Sequence, residues 1–407
     1  MVGSAVKLIV RIFCFISLVS CTTFKQSVFD VKGAQNNSDH RVLGPSSRQQ
    51  LVTFSDSPQM QGSSGEFGEK RFDPRGPVID EIPPFYVWFG TNRKPIVPSN
   101  ARLGFTGIDG QRMYYGVASV KVPKSHAFGA TGSTWVWRYV MGTDDRLKIM
   151  EMRTMDGASF SKYLQQKLDT VAVGKRTALV YIHGYNTDFE EAVIRAAQIG
   201  YDLKLEGVMA LFSWPSKGAY LAYSADEATI TASERHLGKF LRNILKNPNI
   251  EHLNILAHSM GNRALMRTVE RLSNDPTIEH KSINQIILAA PDVHVNTFAQ
   301  LAQFYPKVAS KTTLYVSSKD LTLSGSKFFH TDDRVGYKPP IIVIPGIDTI
   351  SVDNIDLSIL GHSYFAEAAA VLYDIHQLLS GKLDPNERIR LKPSINDKGL
   401  RYWNIAQ

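Results

Sequence analysis

The sequence has 407 residues, of which 43% are hydrophobic and 21% are charged. That composition is typical of a globular protein with a sizeable core, and it excludes a collagen, a coiled coil and a wholly disordered chain. The formal net charge is +8 at pH 7, but lysine and arginine are scattered rather than clustered with aromatic residues, so we expect no nucleic-acid partner.

The N-terminal segment has the pattern of an export signal. Lys7 and Arg11 precede the apolar run 12–19, which is too short to span a bilayer, and small residues precede Cys21. Residues 18–21 resemble the lipobox of bacterial lipoproteins, which implies cleavage before Cys21 and acylation of its thiol and its new amine. An ordinary signal peptide that contains a cysteine is the alternative.

The two cysteines limit the kinds of site that the folded body can contain, and the residue after Cys21 indicates the location. The only cysteine besides Cys21 is Cys14, within the expected signal peptide 1–20, so the folded body has no disulfide, thiolate metal site or cysteine nucleophile. Thr22 rather than aspartate follows Cys21, which in bacterial lipoproteins implies the outer membrane. We therefore expect a protein of the bacterial cell envelope, anchored in the outer membrane by lipidated Cys21.

The next segment, residues 21–84, is rich in serine, glutamine, asparagine, glycine and proline, with only isolated apolar residues. Such a composition cannot bury enough apolar surface to offset the entropy of ordering, so it predicts a disordered tether. The folded domain is expected over 85–385, followed by a C-terminal tail over 386–407.

The folded domain is expected to open with two antiparallel strands, because residues 85–89 and 113–122 are rich in β-forming side chains. Further along, short runs that are apolar throughout alternate with segments of helical periodicity. Such runs are typical of parallel strands covered on both faces. They occupy 178–182, 208–212, 253–257, 286–290, 313–316 and 341–344.

The segments between these runs carry helix signals. Residues 187–190, with the sequence Thr-Asp-Phe-Glu, have the pattern of a capping box. Residues 237–245, 265–272 and 371–378 each place apolar side chains on one helical face, and Gly381 is the expected cap of the last helix. The alternation predicts an α/β fold, a mostly parallel sheet with two antiparallel opening strands and helices on both faces.

One strand-to-helix junction, residues 255–262, resembles the nucleophile elbow of α/β hydrolases, with Ala257 in the position of the first glycine. Ser259 would sit there in a strained backbone conformation, and the small residues Ala257 and Gly261 that flank it would avoid collisions with the neighbouring strand and helix. The helix that begins at Met260 would offer backbone N–H groups to a developing oxyanion. Alternatively, Ser259 only caps a helix, but the strand before it and the amphipathic helix after it favour a nucleophile.

A second motif, His183-Gly184-Tyr185, follows the apolar run 178–182. In hydrolases with a His-Gly turn at this place, the residue after the glycine lines the oxyanion hole. This resemblance implies an oxyanion hole formed by the backbone N–H groups of Tyr185 and Met260. We expect His183 itself to be a structural hydrogen-bonding residue rather than a base.

A nucleophilic serine needs a base, and the base needs an acid that orients it. In this fold the acid and then the histidine follow the serine, which favours Asp320 after the run 313–316 and His362 before the last helix. Asp292 also follows an apolar run and is the alternative acid. Asp292 and His294 could suggest a metal pair, but no third ligand is evident, so we expect neither a metal nor a cofactor.

Together these motifs resemble a bacterial α/β-hydrolase family of unknown function, often described as esterase-like. The residues that carry the resemblance are 91–93, 183–186, 212–216, 257–262, 290–292 and 361–362. The resemblance implies the α/β-hydrolase fold and a triad, here Ser259, Asp320 and His362, but no particular substrate. We therefore expect a lipid-anchored serine hydrolase acting on carboxylic esters of small molecules or lipids. An acyltransferase with the same triad and a non-catalytic binding protein are the alternatives, and the oligomeric state stays open.

Overall fold

The computed structural model describes residues 82–132, 145–219, 222–280, 282–317, 333–352, 365–381 and 384–405, with only the backbone of 365–368. The expected signal peptide, Cys21 and nearly all of the tether lie outside this part of the chain. So do two of the triad candidates, Asp320 and His362. Within the described residues, no helix is both long and apolar enough to cross a bilayer.

Eleven strands of the described chain form one sheet. They are β1 (Phe85–Pro95), β2 (Phe105–Lys121), β3 (Lys148–Met155), β4 (Thr177–Ile182), β5 (Val208–Ser213), β6 (His252–His258), β7 (Ile283–Ala289), β8 (Ala309–Ser317), β9 (Asp348–Val352), β10 (Leu391–Ile395) and β11 (Arg401–Ile405). The α-helices are α1 (Gly157–Asp169), α2 (Phe189–Asp202), α3 (Tyr223–Leu245), α4 (Gly261–Ser273), α5 (Val295–Leu301), α6 (Tyr305–Val308) and α7 (Phe365–Gly381). Short 3₁₀ turns lie at Ala101–Leu103, Ala302–Phe304 and Pro385–Glu387.

The strands lie in the order β10-β11-β9-β8-β7-β6-β4-β5-β1-β2-β3. From β11 to β1 in this order, each strand is parallel to its neighbours. The remaining pairs, β1 with β2, β2 with β3 and β10 with β11, are antiparallel. The predicted mostly parallel sheet with antiparallel opening strands is confirmed. Because parallel strands point the same way, the C-terminal ends of β4, β5, β6, β7 and β8 lie along one edge of the sheet.

Two strand predictions need correction. The run 341–344 is not a strand: it lies between Pro340 and Pro345, which cannot donate to a ladder, and β9 begins only at Asp348. The sheet also opens with a third strand, β3, which the sequence does not signal because its half-exposed residues form no apolar pattern. The other five apolar runs form β4 to β8.

The C-terminal segment 386–407 is not a separate tail where the structure describes it. β10 and β11 form a hairpin, and β11 pairs in parallel with β9. Trp403 and Ile405 of β11 are buried in the same core as Ile350 of β9. The folded domain therefore extends past the expected boundary at 385, because this hairpin covers the edge of β9.

Helices cover both faces of the sheet, as predicted. On one face, α1, α3 and α4 pack through side chains such as Phe160, Leu237 and Leu265. On the other face, α2 and α7 pack through Val193 and Ile375. The apolar stripes read from the sequence thus face the sheet.

Helix α2 starts one residue later than the sequence predicts. The capping box pairs Asp188 with Glu191: the carboxylate of Asp188 accepts the N–H of Glu191 at 2.8 Å, and the reverse hydrogen bond is 3.1 Å long. Thr187, the expected cap, instead donates its hydroxyl to the carbonyl of Tyr185 at 3.2 Å. Thr187 therefore belongs to the turn that follows His183 and Gly184.

Candidate active site

Ser259 lies in a tight turn between the end of β6 and the start of α4. Its φ angle is 46°, in the left-handed region where a residue with a side chain is strained by about 1–3 kcal/mol. Backbone hydrogen bonds hold this conformation: the N–H of Ser259 donates to the carbonyl of Ala289 at 2.9 Å, and its carbonyl accepts the N–H of Asp292 at 3.2 Å. The residue is buried, with 3% of its surface exposed.

Two glycines let the surrounding backbone approach this turn. A Cβ atom on Gly261 would lie 2.6 Å from the carbonyl oxygen of His183, which is too close for any side chain. A Cβ atom on Gly184 would lie 3.1 Å from the Cβ of Ser259. The His-Gly turn after β4 is therefore packed directly against the candidate nucleophile.

The two expected oxyanion residues each follow a residue at this contact: Met260 follows Ser259 in the chain, and Tyr185 follows Gly184. Met260 is the N-cap residue of α4, and its side chain makes no capping hydrogen bond to the first turn. The first N–H groups of a helix have no acceptor within the helix, and the helix dipole makes this end positive. Tyr185 follows Gly184 in the chain, and its ring packs edge-on against Tyr223 with the centroids 5.4 Å apart.

A fully buried arginine, Arg93, contacts the His-Gly turn, and the sequence alone predicts no role for it. Its Nε donates to the hydroxyl of Ser213 at 2.9 Å, and its Nη1 donates to the carbonyl of Ser216 at 2.9 Å. Its Nη2 donates to the carbonyl of Thr187 at 2.8 Å. The two unexplained motifs 91–93 and 212–216 therefore meet at this guanidinium.

His183 is a hydrogen-bonding residue of the same cluster. Its Nδ1 lies 2.7 Å from the carbonyl oxygen of Gly184, which can only accept, so Nδ1 carries the proton. Its Nε2 then accepts from Arg93 Nη2 at 3.4 Å and from the hydroxyl of Ser213 at 3.3 Å. The ring stacks on Trp214, with centroids 5.1 Å apart, and burial lowers the pKa of His183 well below its usual range.

Asp292, the alternative acid, is buried in a charged cluster beside the elbow. Its carboxylate accepts the hydroxyl of Tyr223 at 2.5 Å and lies 3.2 Å from Arg263 and 3.4 Å from Arg334. Its own N–H holds the carbonyl of Ser259, as described above. These contacts indicate that Asp292 stabilises the loop after β7.

The other predicted site residues divide into two groups. His294 caps α5, because its Nδ1 accepts the N–H of Asn296 at 3.1 Å. In the part of the chain that the structure describes, no three His, Cys, Asp or Glu side chains are grouped so as to hold a metal ion. Asp320 and His362 lie outside the described residues, although β8 ends at Ser317, close before Asp320 in the chain.

Comparison with known proteins places the chain among hydrolases. The family model described as alpha/beta hydrolase of unknown function (DUF900) matches residues 157–382. That span includes the His-Gly turn, the Ser259 elbow and α7. No curated protein matches the chain.

Solved structures similar to this chain include hydrolases and esterases at low identity. A predicted CIB-like hydrolase from Thermoplasma acidophilum is 17% identical over 51% of this chain and 88% of its own, with a TM-score of 0.31. Est1E from Butyrivibrio proteoclasticus is 12% identical over 50% and 87%, with a TM-score of 0.33. An esterase from Pyrobaculum calidifontis is 8% identical over 56% and 94%, with a TM-score of 0.30.

Proposed function

The chain belongs to the alpha/beta hydrolases of unknown function, and from this premise we propose that it is a serine hydrolase that cleaves carboxylic esters. One observation carries the proposal: Ser259 occupies a left-handed turn between β6 and α4, with Gly184 packed against its Cβ. A serine held in this way at a strand-to-helix turn is typical of the nucleophile of this fold. No metal or cofactor is part of the proposal.

In the proposed reaction, Ser259 Oγ attacks the ester carbonyl carbon while His362 takes the hydroxyl proton. The bond from carbon to the leaving oxygen then breaks, and His362 returns the proton to the departing alcohol. Water attacks the acyl-enzyme with the same base, which releases the carboxylic acid and restores Ser259. Asp320 orients the imidazole and stabilises its charged form, and the N–H groups of Tyr185 and Met260 bind the oxyanion.

The electrostatics of the turn support this assignment of the oxyanion hole. Ser259 is buried, and donors in a site that excludes water stabilise developing charge more strongly than they would in water. The N-terminal end of α4 adds its dipole at Met260. The choice of Asp320 over Asp292 is supported by chain order and by the two arginines that already engage the Asp292 carboxylate.

The proposal includes the location. We propose that acylated Cys21 anchors the domain to the bacterial envelope, in the outer membrane, through the tether 21–84. The support is the lipobox-like sequence 18–21. Esters of small molecules or lipids are the proposed substrates, and nucleic acid is not a proposed partner.

Covalent labelling tests the nucleophile. The full-length protein in mild detergent is treated with a fluorophosphonate probe and, separately, with a short-chain activated ester. We expect labelling and turnover in the unmodified protein, and neither in Ser259→Ala, whose circular dichroism spectrum should be unchanged. Ser273→Ala is the matched control, because Ser273 lies on the same helix α4, at its opposite end.

The outcomes separate the alternatives. Labelling of Ser259→Ala, or its retained esterase activity, would overturn the assignment of Ser259. An unmodified protein that binds ligands but is never labelled would instead indicate a binding protein. Appearance of the acyl group on an added alcohol rather than on water would indicate acyl transfer by the same residues.

A further inference from the structure

We propose that Arg93 is a positioning residue of the reaction: its guanidinium fixes the turn 183–187 so that the N–H of Tyr185 faces the oxyanion at Ser259. This inference rests on the proposed function, because it assigns a role relative to that oxyanion hole. Arg93 touches no substrate in this proposal. It acts through the backbone of the turn.

The guanidinium holds both ends of the turn at once. Nη2 donates to the carbonyl of Thr187 at 2.8 Å, and the same nitrogen lies 3.4 Å from Nε2 of His183. Tyr185 lies between these two residues in the chain. A shift of the guanidinium would therefore move the segment that carries the Tyr185 N–H.

Ser216 and Asp226 extend this hydrogen-bond network to the backbone of the turn 183–187. Arg93 Nη1 fixes the carbonyl of Ser216 at 2.9 Å, and the hydroxyl of Ser216 accepts the N–H of Thr187 at 3.0 Å while it donates to Asp226 at 2.6 Å. The carboxylate of Asp226 also accepts the N–H of Asn186 at 3.3 Å. The backbone N–H groups that follow Tyr185 are thus bound by the network.

The chemistry of the network requires arginine in particular. In the described residues, all hydrogen-bond acceptors of Arg93 are neutral: one hydroxyl, one imidazole nitrogen and three backbone carbonyl oxygens. The donors are its Nε, Nη1 and Nη2. A planar guanidinium presents five donors in a fixed fork, whereas a lysine ammonium presents three at a single point. The guanidinium is fully buried and none of its direct acceptors is charged, so burying it is costly even with the carboxylate of Asp226 nearby, which favours a specific role over simple packing.

The test compares two buried arginines. Arg388 is the matched control, since it is also almost fully buried but bonds to Asp374 at 2.9 Å, in the network of α7. We expect Arg93→Lys and Arg388→Lys both to lower the melting temperature of the full-length protein. Only Arg93→Lys should lower kcat and the rate of fluorophosphonate labelling, by roughly 10- to 100-fold, as expected when a catalytic donor is displaced. KM should change by less than about threefold, because uniform binding is not affected.

A milder pair of variants keeps the test open if Arg93→Lys does not fold. Trp214 donates its Nε1–H to the carbonyl of His183 at 2.8 Å, and Trp214→Phe removes that donor but keeps an aromatic ring against the imidazole. The matched control is Trp403→Phe, which removes a comparable donor to Asn386 at 3.0 Å in the C-terminal hairpin. We expect a lower kcat in Trp214→Phe and an unchanged kcat in Trp403→Phe, measured where both are folded.

The failures are distinguishable. If the unmodified protein is not labelled, or if Ser259→Ala is labelled, the proposed function is wrong. If Ser259 behaves as proposed but Arg93→Lys and Trp214→Phe keep the kcat of their controls, the positioning role alone is overturned. A loss confined to KM would also overturn it, because it would indicate substrate binding rather than alignment of the oxyanion hole.

Discussion

At the scale of single residues, the buried pair Arg93 and His183 determines the charge next to the turn 183–187. Burial lowers the pKa of the His183 imidazole well below its usual range, and the neighbouring charge of Arg93 lowers it further. Burial also lowers the pKa of Arg93, to about 9, so its guanidinium remains charged at neutral pH. The pair therefore carries a single positive charge, located on Arg93.

This charge state predicts that His183 makes the protein less stable in acid. In the unfolded chain the imidazole binds a proton as the pH falls below about 6.5, whereas the folded imidazole stays neutral. The stabilising contribution is complete above that pH and is lost as the pH falls toward the lower folded pKa, by about 1.4 kcal/mol per pH unit. Urea unfolding at about pH 7.5, 6.5 and 5.5 measures the free energy of unfolding.

The variant His183→Gln isolates this contribution from that of other titrating groups. Its free energy of unfolding should depend less on pH over the acid range than that of the unmodified protein. His280→Gln, at an exposed position, should keep the full dependence. Equal slopes in the two variants would mean that His183 is not neutral in the folded state.

At the scale of elements, the junction of β6 and α4 depends on close contact with the turn after β4. The carbonyl of His183 approaches Gly261 so closely that an added Cβ would lie 2.6 Å from it. Backbone atoms cannot move aside as the end of a flexible side chain can. Position 261 therefore requires glycine, which has no side chain. The turn at Ser259 and the turn after β4 are thus one packed unit.

Gly261→Ala is expected to disturb stability and activity together. Forcing the extra methyl group into this contact should lower the free energy of unfolding by about 1–3 kcal/mol. It should also lower kcat, because the His183–Gly184 turn moves away from Ser259. Gly157→Ala is the control, since its Cβ would make only an ordinary contact, 3.4 Å from the ring of Tyr115. Urea unfolding and ester hydrolysis measure the effects, and an unchanged Gly261→Ala would refute the packing argument.

The loops after β7 and β8 carry the two competing acids, and their variants should behave differently. Asp320→Asn should lower kcat by roughly 10³- to 10⁴-fold with little change in KM, because the base loses the group that orients it. Asp292→Asn should mainly lower the melting temperature, because Arg263 and Arg334 would face a neutral amide. Steady-state kinetics and thermal unfolding of both variants measure these effects. A large loss of kcat in Asp292→Asn and not in Asp320→Asn would assign the role of triad acid to Asp292.

At the scale of the whole molecule, the proposed anchor predicts where the protein is found. Full-length protein made in bacteria should incorporate labelled palmitate and sediment with membranes, because several acyl chains on Cys21 bind a bilayer strongly. Cys21→Ser should lose both properties. Cys14→Ser should keep both, since Cys14 lies before the expected cleavage point. Label and sedimentation that persist in Cys21→Ser would rule out this anchor.

The sequence predicts the centre of the fold better than its edges. Strands β4 to β8 are covered on both faces, so they appear as uninterrupted apolar runs. The edge strand β3 and the hairpin β10–β11 are exposed on one side and leave a weaker pattern. The run 341–344 misleads because its apolar composition is that of a buried strand, whereas in the structure the strand begins only at Asp348.

The site shows the same division. The strained turn at Ser259 could be predicted because the elbow-like sequence is a local pattern of small residues between a strand and a helix. The role of Arg93 could not, because its partner Ser213 is 120 residues away in the chain. The motif 91–93 contributes to the family resemblance, but the contacts of Arg93 form only when the sheet is assembled.

The pairing of β11 with β9 has a consequence for how the protein is made. During synthesis β11 emerges after every other strand of the sheet, so the edge of β9 has no partner until late. An open strand edge is a template for association with other chains. The sheet therefore cannot be completed until β11 has been synthesised. A chain truncated before β11, or cleaved within the hairpin, would expose the unpaired edge of β9 to association with other chains.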